Sequence, residues 1–104
     1  MVHDWTMEQV SAGLAAGDIL LVDVREPHEF EMGHIPGSVP MPLSRFDASA
    51  LPAAPGKCLV FSCAAGVRSL RAIELAQAAG LDANTHYIGG FKDWIMSGGE
   101  IERG

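Results

Sequence analysis

One stretch constrains the fold of this chain more than any other: an apolar run that ends at a cysteine and leads directly into a helical pattern. Residues 59–62 are Leu-Val-Phe-Ser, Cys63 follows, and residues 64–67 are Ala-Ala-Gly-Val. Over residues 69–79 apolar side chains recur at helical spacing, and Gly80 ends the pattern. The stretch predicts a strand–loop–helix unit with a thiol at the carboxyl end of the strand, where open α/β sheets place their ligands.

Two interpretations of Cys63 compete. A cysteine at the end of a strand is often only a small buried hydrophobic residue. Here, however, the small residues that follow leave the sulfur accessible and let backbone N–H groups approach a bound anion. Arg68 adds a fixed positive charge, and Ser69 is expected as the N-cap of the helix. Such surroundings stabilise a thiolate, so we favour a nucleophilic Cys63.

The rest of the chain alternates helices and strands. Thr6 and Gln9 form a capping box that begins a first helix, which ends at Gly17. The nearly continuous apolar run 19–24 predicts a strand covered on both faces, as in a parallel sheet. Further expected elements are a short helix from Pro27, an edge strand around Val39 and Met41, helical turns near 43–46 and 48–51, a strand at 85–88 and a helix at 91–96. The alternation predicts an α/β protein with a mostly parallel sheet, in one domain over residues 1–104.

Charge and composition bear on the class of partner and on the compartment. A net charge of −6 argues against nucleic acid or an anionic membrane as a partner. The sequence holds no apolar run long enough for a membrane span, and its first residues do not follow the pattern of a secretory signal. The predicted strand runs from Cys58 to Ser62, and Cys63 follows it. The two cysteines therefore lie beyond disulfide reach, and Cys58 is expected to be an inert packing thiol. No spacing of cysteine or histidine indicates a metal site, and unpaired thiols indicate the cytoplasm.

Three segments of the sequence belong together as a signature. The first, upstream segment comprises Asp-Val-Arg-Glu at 23–26, Glu-Phe at 29–30, Gly-His-Ile-Pro-Gly-Ser at 33–38, and Pro42. The second is the loop 63–69, Cys-Ala-Ala-Gly-Val-Arg-Ser, and the third is Tyr-Ile-Gly-Gly-Phe-Lys-Asp-Trp at 87–94. In this order, and over most of the chain, they resemble the rhodanese family of thiosulfate and persulfide sulfurtransferases. The resemblance implies a rhodanese-like three-layer α/β fold in its single-domain form, with a central, mostly parallel five-stranded sheet flanked by helices.

The resemblance also implies an activity and a site. A member of this family moves a sulfane sulfur from thiosulfate or a similar small anionic donor to cyanide or a thiol, which can be a protein thiol, through a persulfide on Cys63 and without a cofactor. Asp23 and Arg25 are expected beside the loop as structural partners. Asp23 would accept hydrogen bonds from loop N–H groups, and Arg25 would pair with Glu29 or another carboxylate. The residues expected to bind the donor are Ala64, Ala65, Gly66, Val67, Arg68 and Ser69.

Loop length separates this interpretation from a related one. Four residues lie between Cys63 and Arg68, whereas phosphatases that form a cysteinyl phosphate have five. Within the family the shorter loop goes with sulfur and the longer one with phosphate, so sulfur transfer is favoured. Two alternatives stay open: a sulfur carrier that serves a protein partner through the same Cys63, and a non-catalytic interaction module, against which the intact cysteine loop counts. His34 could be mistaken for the base of a Cys-His pair, but a structural role is expected for it.

Overall fold

The computed structural model describes residues 1–104. Five strands and four α-helices follow one another, with two short 3-10 turns at Leu43–Arg45 and Ala48–Ala50. The strands are β1 (His3–Trp5), β2 (Ile19–Asp23), β3 (Val39–Pro40), β4 (Cys58–Ser62) and β5 (Thr85–Tyr87). The helices are α1 (Met7–Ala16), α2 (Pro27–Met32), α3 (Arg68–Ala78) and α4 (Gly90–Met96).

All five strands pair in parallel in the order β1-β5-β4-β2-β3, which confirms the predicted five-stranded parallel sheet. The strand β4 lies at the centre of the sheet, between β5 and β2. Its last residue, Ser62, is in register with Asp23, the last residue of β2. Both strands therefore end at the same edge of the sheet, and the segments that follow them lie side by side there.

The two faces of the sheet bury separate apolar clusters, because successive side chains of a strand point to opposite faces. Val22 and Phe61 pack with Ala72 and Ile73 of α3 on one face. On the other face, Leu21, Val60 and Tyr87 of the sheet pack with Val10 of α1 and Trp94 of α4. The sheet is thus the middle of three layers.

Capping residues and glycines in the sequence determine where α1 begins and ends. The capping box of Thr6 and Gln9 forms as predicted, and Gly17 ends α1 in the left-handed conformation that glycine tolerates. The predicted N-cap role of Ser69 is wrong: α3 begins at Arg68, Val67 is its N-cap, and no side chain caps the helix. The Ser69 hydroxyl instead makes contacts outside its own helix, which are described below. None of the four α-helices is long and apolar enough to cross a lipid bilayer.

Candidate active site

The Cys63 sulfur lies where β4 gives way to α3. The residue is only 1% exposed, so the expectation that the small loop residues leave its sulfur accessible is wrong. The backbone N–H of Gly66 donates a hydrogen bond to Sγ over 3.1 Å, and the hydroxyl of Ser69 lies 3.6 Å from Sγ. The backbone N–H groups of Ala65 in the loop and Ser69 in α3 also act on the sulfur, so the loop and the first turn of the helix both present donors to it.

Two glycines let the loop close around the sulfur. Gly66 has a φ of +81°, and a Cβ there would lie 2.2 Å from the carbonyl oxygen of Ile88. Gly90, at the start of α4, has a φ of +66°, and its Cβ would lie 2.5 Å from the carbonyl oxygen of Cys63. No other residue type fits such close approach combined with a left-handed backbone.

The loop carbonyls are tied to α4. The N–H of Phe91 donates to the carbonyl of Cys63 over 2.8 Å, and the N–H of Lys92 donates to the carbonyl of Ala64 over 3.0 Å. Because these carbonyls point toward α4, the N–H groups of the loop can point toward the sulfur, as that of Gly66 does. The C-terminal signature therefore positions the cysteine loop, although the residues in contact are 28 positions apart along the chain.

The loop favours a thiolate. Burial raises the pKa of the Cys63 thiol, but hydrogen bonds from Ser69 and from the backbone N–H groups of Ala65 and Gly66 more than offset it. The pKa of the thiol therefore lies below its ordinary value. A lowered pKa increases the fraction of the thiol that is ionised, and the thiolate is the nucleophilic form of cysteine.

Arg68 has a carboxylate partner. Its guanidinium donates to both carboxylate oxygens of Glu29 in α2, over 2.7 and 3.0 Å. These hydrogen bonds lower the pKa of Glu29 to about 2 and raise the pKa of Arg68. Both side chains stay partly exposed, at 34% and 27%. Arg68 thus lies at the helix start next to the loop, as expected, but any anion it binds has to compete with Glu29.

Asp23 and Arg25 are paired with one another. Arg25 donates to Asp23 from its backbone N–H over 2.9 Å and from its guanidinium over 2.7 to 3.1 Å. The expectation that Asp23 accepts from the loop N–H groups is wrong, because Arg25 occupies its carboxylate. The guanidinium also donates to the carbonyl of Gly33 over 2.8 Å and lies 4.2 Å from the ring centre of Phe91. Arg25 therefore joins the end of β2, the start of the 33–38 segment and α4 behind the loop, and its carboxylate partner is Asp23 rather than Glu29.

A buried series of hydrogen-bonded polar groups, not predicted from the sequence, lies next to the cysteine. His86 of β5 is fully buried, its Nδ1 lies 2.7 Å from the Ser69 hydroxyl, and its Nε2 lies 2.8 Å from a carboxylate oxygen of Asp4. The only local signal for it was a histidine in a strand between two residues that point to the opposite face. Its partners lie 17 and 82 residues away along the chain, so spacing could not reveal them.

The other residues singled out from the sequence differ in how exposed they are. Gly66 and Ser69 are buried, Ala64 is half-buried, and Ala65 and Val67 are exposed. Cys58 is an exposed free thiol at the opposite end of β4 from Cys63, so the expectation of a packing thiol is wrong. His34 stacks on Phe30 and hydrogen-bonds its carbonyl.

The fold and the site together define an α/β protein with a buried cysteine in an amide-lined loop at the carboxyl edge of a parallel sheet. The model of the rhodanese-like domain matches residues 6–97, and the chain belongs to that family. The family resemblance stated from the sequence is thereby confirmed.

Curated relatives include proteins named for sulfur transfer. The thiosulfate sulfurtransferase/rhodanese-like domain-containing protein 3 of Mus musculus is 38% identical over 86% of this chain. The thiosulfate:glutathione sulfurtransferase of Homo sapiens is 30% identical, and the alignment covers 86% of this chain and 90% of that protein. The chain spans 66% of the length of the mouse relative and 45% of that of a Synechocystis relative that is 41% identical.

Solved structures agree on the fold. A rhodanese-like domain protein from Staphylococcus aureus superposes with a TM-score of 0.81 at 28% identity, and 99% of each chain is covered. A protein from Rhodopseudomonas palustris, described as of unknown function and a possible tyrosine phosphatase, gives a TM-score of 0.81 at 35% identity. That alignment covers 97% of this chain and 85% of the other.

Proposed function

We propose that this chain is a thiosulfate sulfurtransferase that carries a sulfane sulfur on Cys63 and delivers it to cyanide or a thiol. The observation that carries the proposal is the sulfur of Cys63, buried at the end of β4 with the Gly66 N–H 3.1 Å away and Ser69 at 3.6 Å. Donors aimed at one sulfur stabilise a negative charge there. The names of the mouse and human relatives support the same chemistry.

In the first step the Cys63 thiolate attacks the outer sulfur of thiosulfate. A sulfur–sulfur bond forms to the enzyme, the sulfur–sulfur bond of the donor breaks, and its electron pair leaves with sulfite. The thiolate and the dianionic donor carry three negative charges, and so do the persulfide anion and sulfite. The negative charge therefore moves from the sulfur of Cys63 to the outer sulfur of the persulfide, and backbone N–H groups of the loop can stabilise it there by hydrogen bonds.

In the second step an acceptor takes the outer sulfur. Cyanide attacks it to give thiocyanate, or a thiolate attacks it to give a new persulfide, and in both cases Cys63 is released as a thiolate. Because the enzyme alternates between two covalent forms, the donor product leaves before the acceptor reacts.

Steady-state kinetics test this scheme. We expect thiocyanate formation from thiosulfate and cyanide to give parallel double-reciprocal lines when both substrates are varied, as a ping-pong reaction requires. Cys63→Ser should reduce the rate to background. Cys58→Ser is the matched control, because this second thiol is exposed at the far end of the same strand, and it should keep the rate of the unaltered protein.

Two results would overturn the proposal. One is a rate that survives in Cys63→Ser. The other is Cys63-dependent hydrolysis of an aryl phosphate that exceeds sulfur transfer, which would assign the loop to phosphate. Glutathione assayed beside cyanide under the same conditions identifies the better acceptor.

A further inference from the structure

A continuous chain of hydrogen-bonding groups runs from the cysteine to the surface of the protein. It connects Cys63 to Ser69 over 3.6 Å, Ser69 to His86 over 2.7 Å, and His86 to Asp4 over 2.8 Å. Ser69 and His86 are fully buried, whereas the side chain of Asp4 is 57% exposed. Four elements contribute: the loop after β4, α3, β5 and β1.

Chemistry fixes the direction of the hydrogens in the thiol form. The ionised carboxylate of Asp4 can only accept, so Nε2 of His86 carries a hydrogen. Nδ1 of the neutral ring is then an acceptor, and the hydroxyl of Ser69 donates to it. This leaves the oxygen of Ser69 free to accept from the thiol of Cys63, so every donor in the chain points away from the sulfur.

The same chain fits equally well after one proton has moved along it. If the Cys63 proton passes to Ser69 and the hydroxyl proton of Ser69 passes to Nδ1, the sulfur becomes a thiolate and the imidazole becomes an imidazolium. The hydroxyl then donates to the sulfur, and both ring nitrogens are donors, one to Ser69 and one to Asp4. No proton enters or leaves the protein, and the total charge is unchanged.

We infer that His86, oriented by Asp4, takes the Cys63 proton through Ser69 and remains protonated as the buried counter-charge of the thiolate and the persulfide. The inference rests on the proposed function for the persulfide state. Neither transfer step above releases or consumes a proton, so the imidazolium can persist through the cycle. His86 is a positioning residue in this scheme, since it acts on the sulfur through Ser69.

The surroundings of His86 leave Asp4 as its charged partner. The neighbouring strand β1 contributes Asp4, and β4 contributes Phe61, which is in register with His86. On its own strand Thr85 and Tyr87 point to the opposite face. The helix α3 contributes Ser69. The residue before it, Arg68, is the nearest cation along that helix, and its guanidinium is held by Glu29.

The test measures how fast iodoacetamide alkylates Cys63 as a function of pH, in a Cys58→Ser background so that one thiol reacts. Alkylation reports the thiolate and needs no sulfur donor. His86→Asn should move the midpoint of the profile up by about one pH unit or more, since removal of a nearby positive charge disfavours the anion. Near pH 6.5 the variant should react about tenfold more slowly, and near pH 10 it should react like the unaltered protein.

Two further variants keep the test decisive. Asp4→Asn changes a half-exposed side chain, so folding is safe, and it should shift the profile in the same direction by a smaller amount. His34→Asn removes another buried histidine, one that contacts Phe30 and Glu102, and it should leave the profile unchanged. An unshifted profile in both His86→Asn and Asp4→Asn, or an equal shift in His34→Asn, overturns the inference.

The outcomes also separate this inference from the proposed function. If the alkylation profile shifts as expected but the protein never forms a persulfide, the proton path is supported and the proposed sulfur transfer is wrong. If the protein forms the persulfide but the alkylation profile does not change in His86→Asn and Asp4→Asn, sulfur transfer is supported and the proton path is wrong.

Discussion

At the scale of single residues, Arg68 forms an ion pair with Glu29. The sequence predicted Arg68 as the residue that binds the anionic donor, and its guanidinium already lies 2.7 and 3.0 Å from the two oxygens of a carboxylate. Charge-assisted contacts of this kind are strong, so a dianionic donor would have to compete with Glu29 for the guanidinium of Arg68.

Removing either partner should therefore change donor binding in opposite directions. Arg68→Ala should raise the KM for thiosulfate at least about tenfold, the worth of one charged hydrogen bond. Glu29→Gln should lower that KM about threefold, because the guanidinium becomes available. Arg71→Ala on the exposed side of α3, where Arg71 pairs with Glu74, is the matched control and should leave the KM unchanged. If Glu29→Gln raised the KM as Arg68→Ala does, Glu29 would orient Arg68 rather than compete for it.

At the scale of elements, the close approach between the cysteine loop and α4 holds the site together. Gly90→Ala should destabilise the protein by at least about 2 kcal/mol, since it adds a left-handed backbone cost to a collision with the carbonyl of Cys63. It should also abolish sulfur transfer. Gly56→Ala is the matched control: its φ is +79°, but a Cβ there meets nothing within 4 Å, so only the backbone cost of about 1 kcal/mol remains. Urea unfolding and the thiocyanate assay measure both effects. Equal losses in the two variants would mean that the close approach of Gly90 to the cysteine loop adds nothing to stability.

Elements with a strong local pattern could be predicted, and elements held by distant partners could not. The strand Cys58–Ser62 has its predicted bounds, and α3 begins one residue early, because an apolar run and a helical period are local properties. The strand β1 was not predicted, since its three residues are mostly exposed and it exists by pairing with β5.

The same distinction applies to the site. The loop from Cys63 to Arg68 was identified from contiguous residues. The partners of those residues, Glu29 for Arg68 and His86 for Ser69, are 39 and 17 positions away. Neither distance matches a helical or strand period, so only the assembled sheet brings these groups together.

At the scale of the whole molecule, charge connects the site to stability. The chain has a net charge of −6. The ion pair of Arg68 and Glu29 joins α3 to α2 at the edge of the sheet. The pKa of Glu29 falls from the 4.5 of a free carboxyl to about 2, so the folded state favours its ionised form. This contribution to stability is present above pH 4.5 and is lost as the pH falls through 2.

Acid unfolding should show this linkage. Between pH 5 and pH 2, the free energy of unfolding of the unaltered protein should fall by about 2 kcal/mol more than that of Glu29→Gln, after allowance for partial solvent screening. Glu74→Gln, in an exposed pair with Arg71, should retain the full pH dependence. Urea unfolding at several pH values gives these differences, and identical slopes for all three proteins would mean that the ion pair is worth little in solution.

Sulfur transfer through Cys63 is tested most directly by the intact mass of the protein after incubation with thiosulfate and removal of excess reagent. We expect a gain of one sulfur atom in the unaltered protein and in Cys58→Ser, no gain in Cys63→Ser, and loss of the added mass on addition of cyanide. An unchanged mass, or a gain that persists in Cys63→Ser, would contradict the assignment of this loop to sulfur transfer.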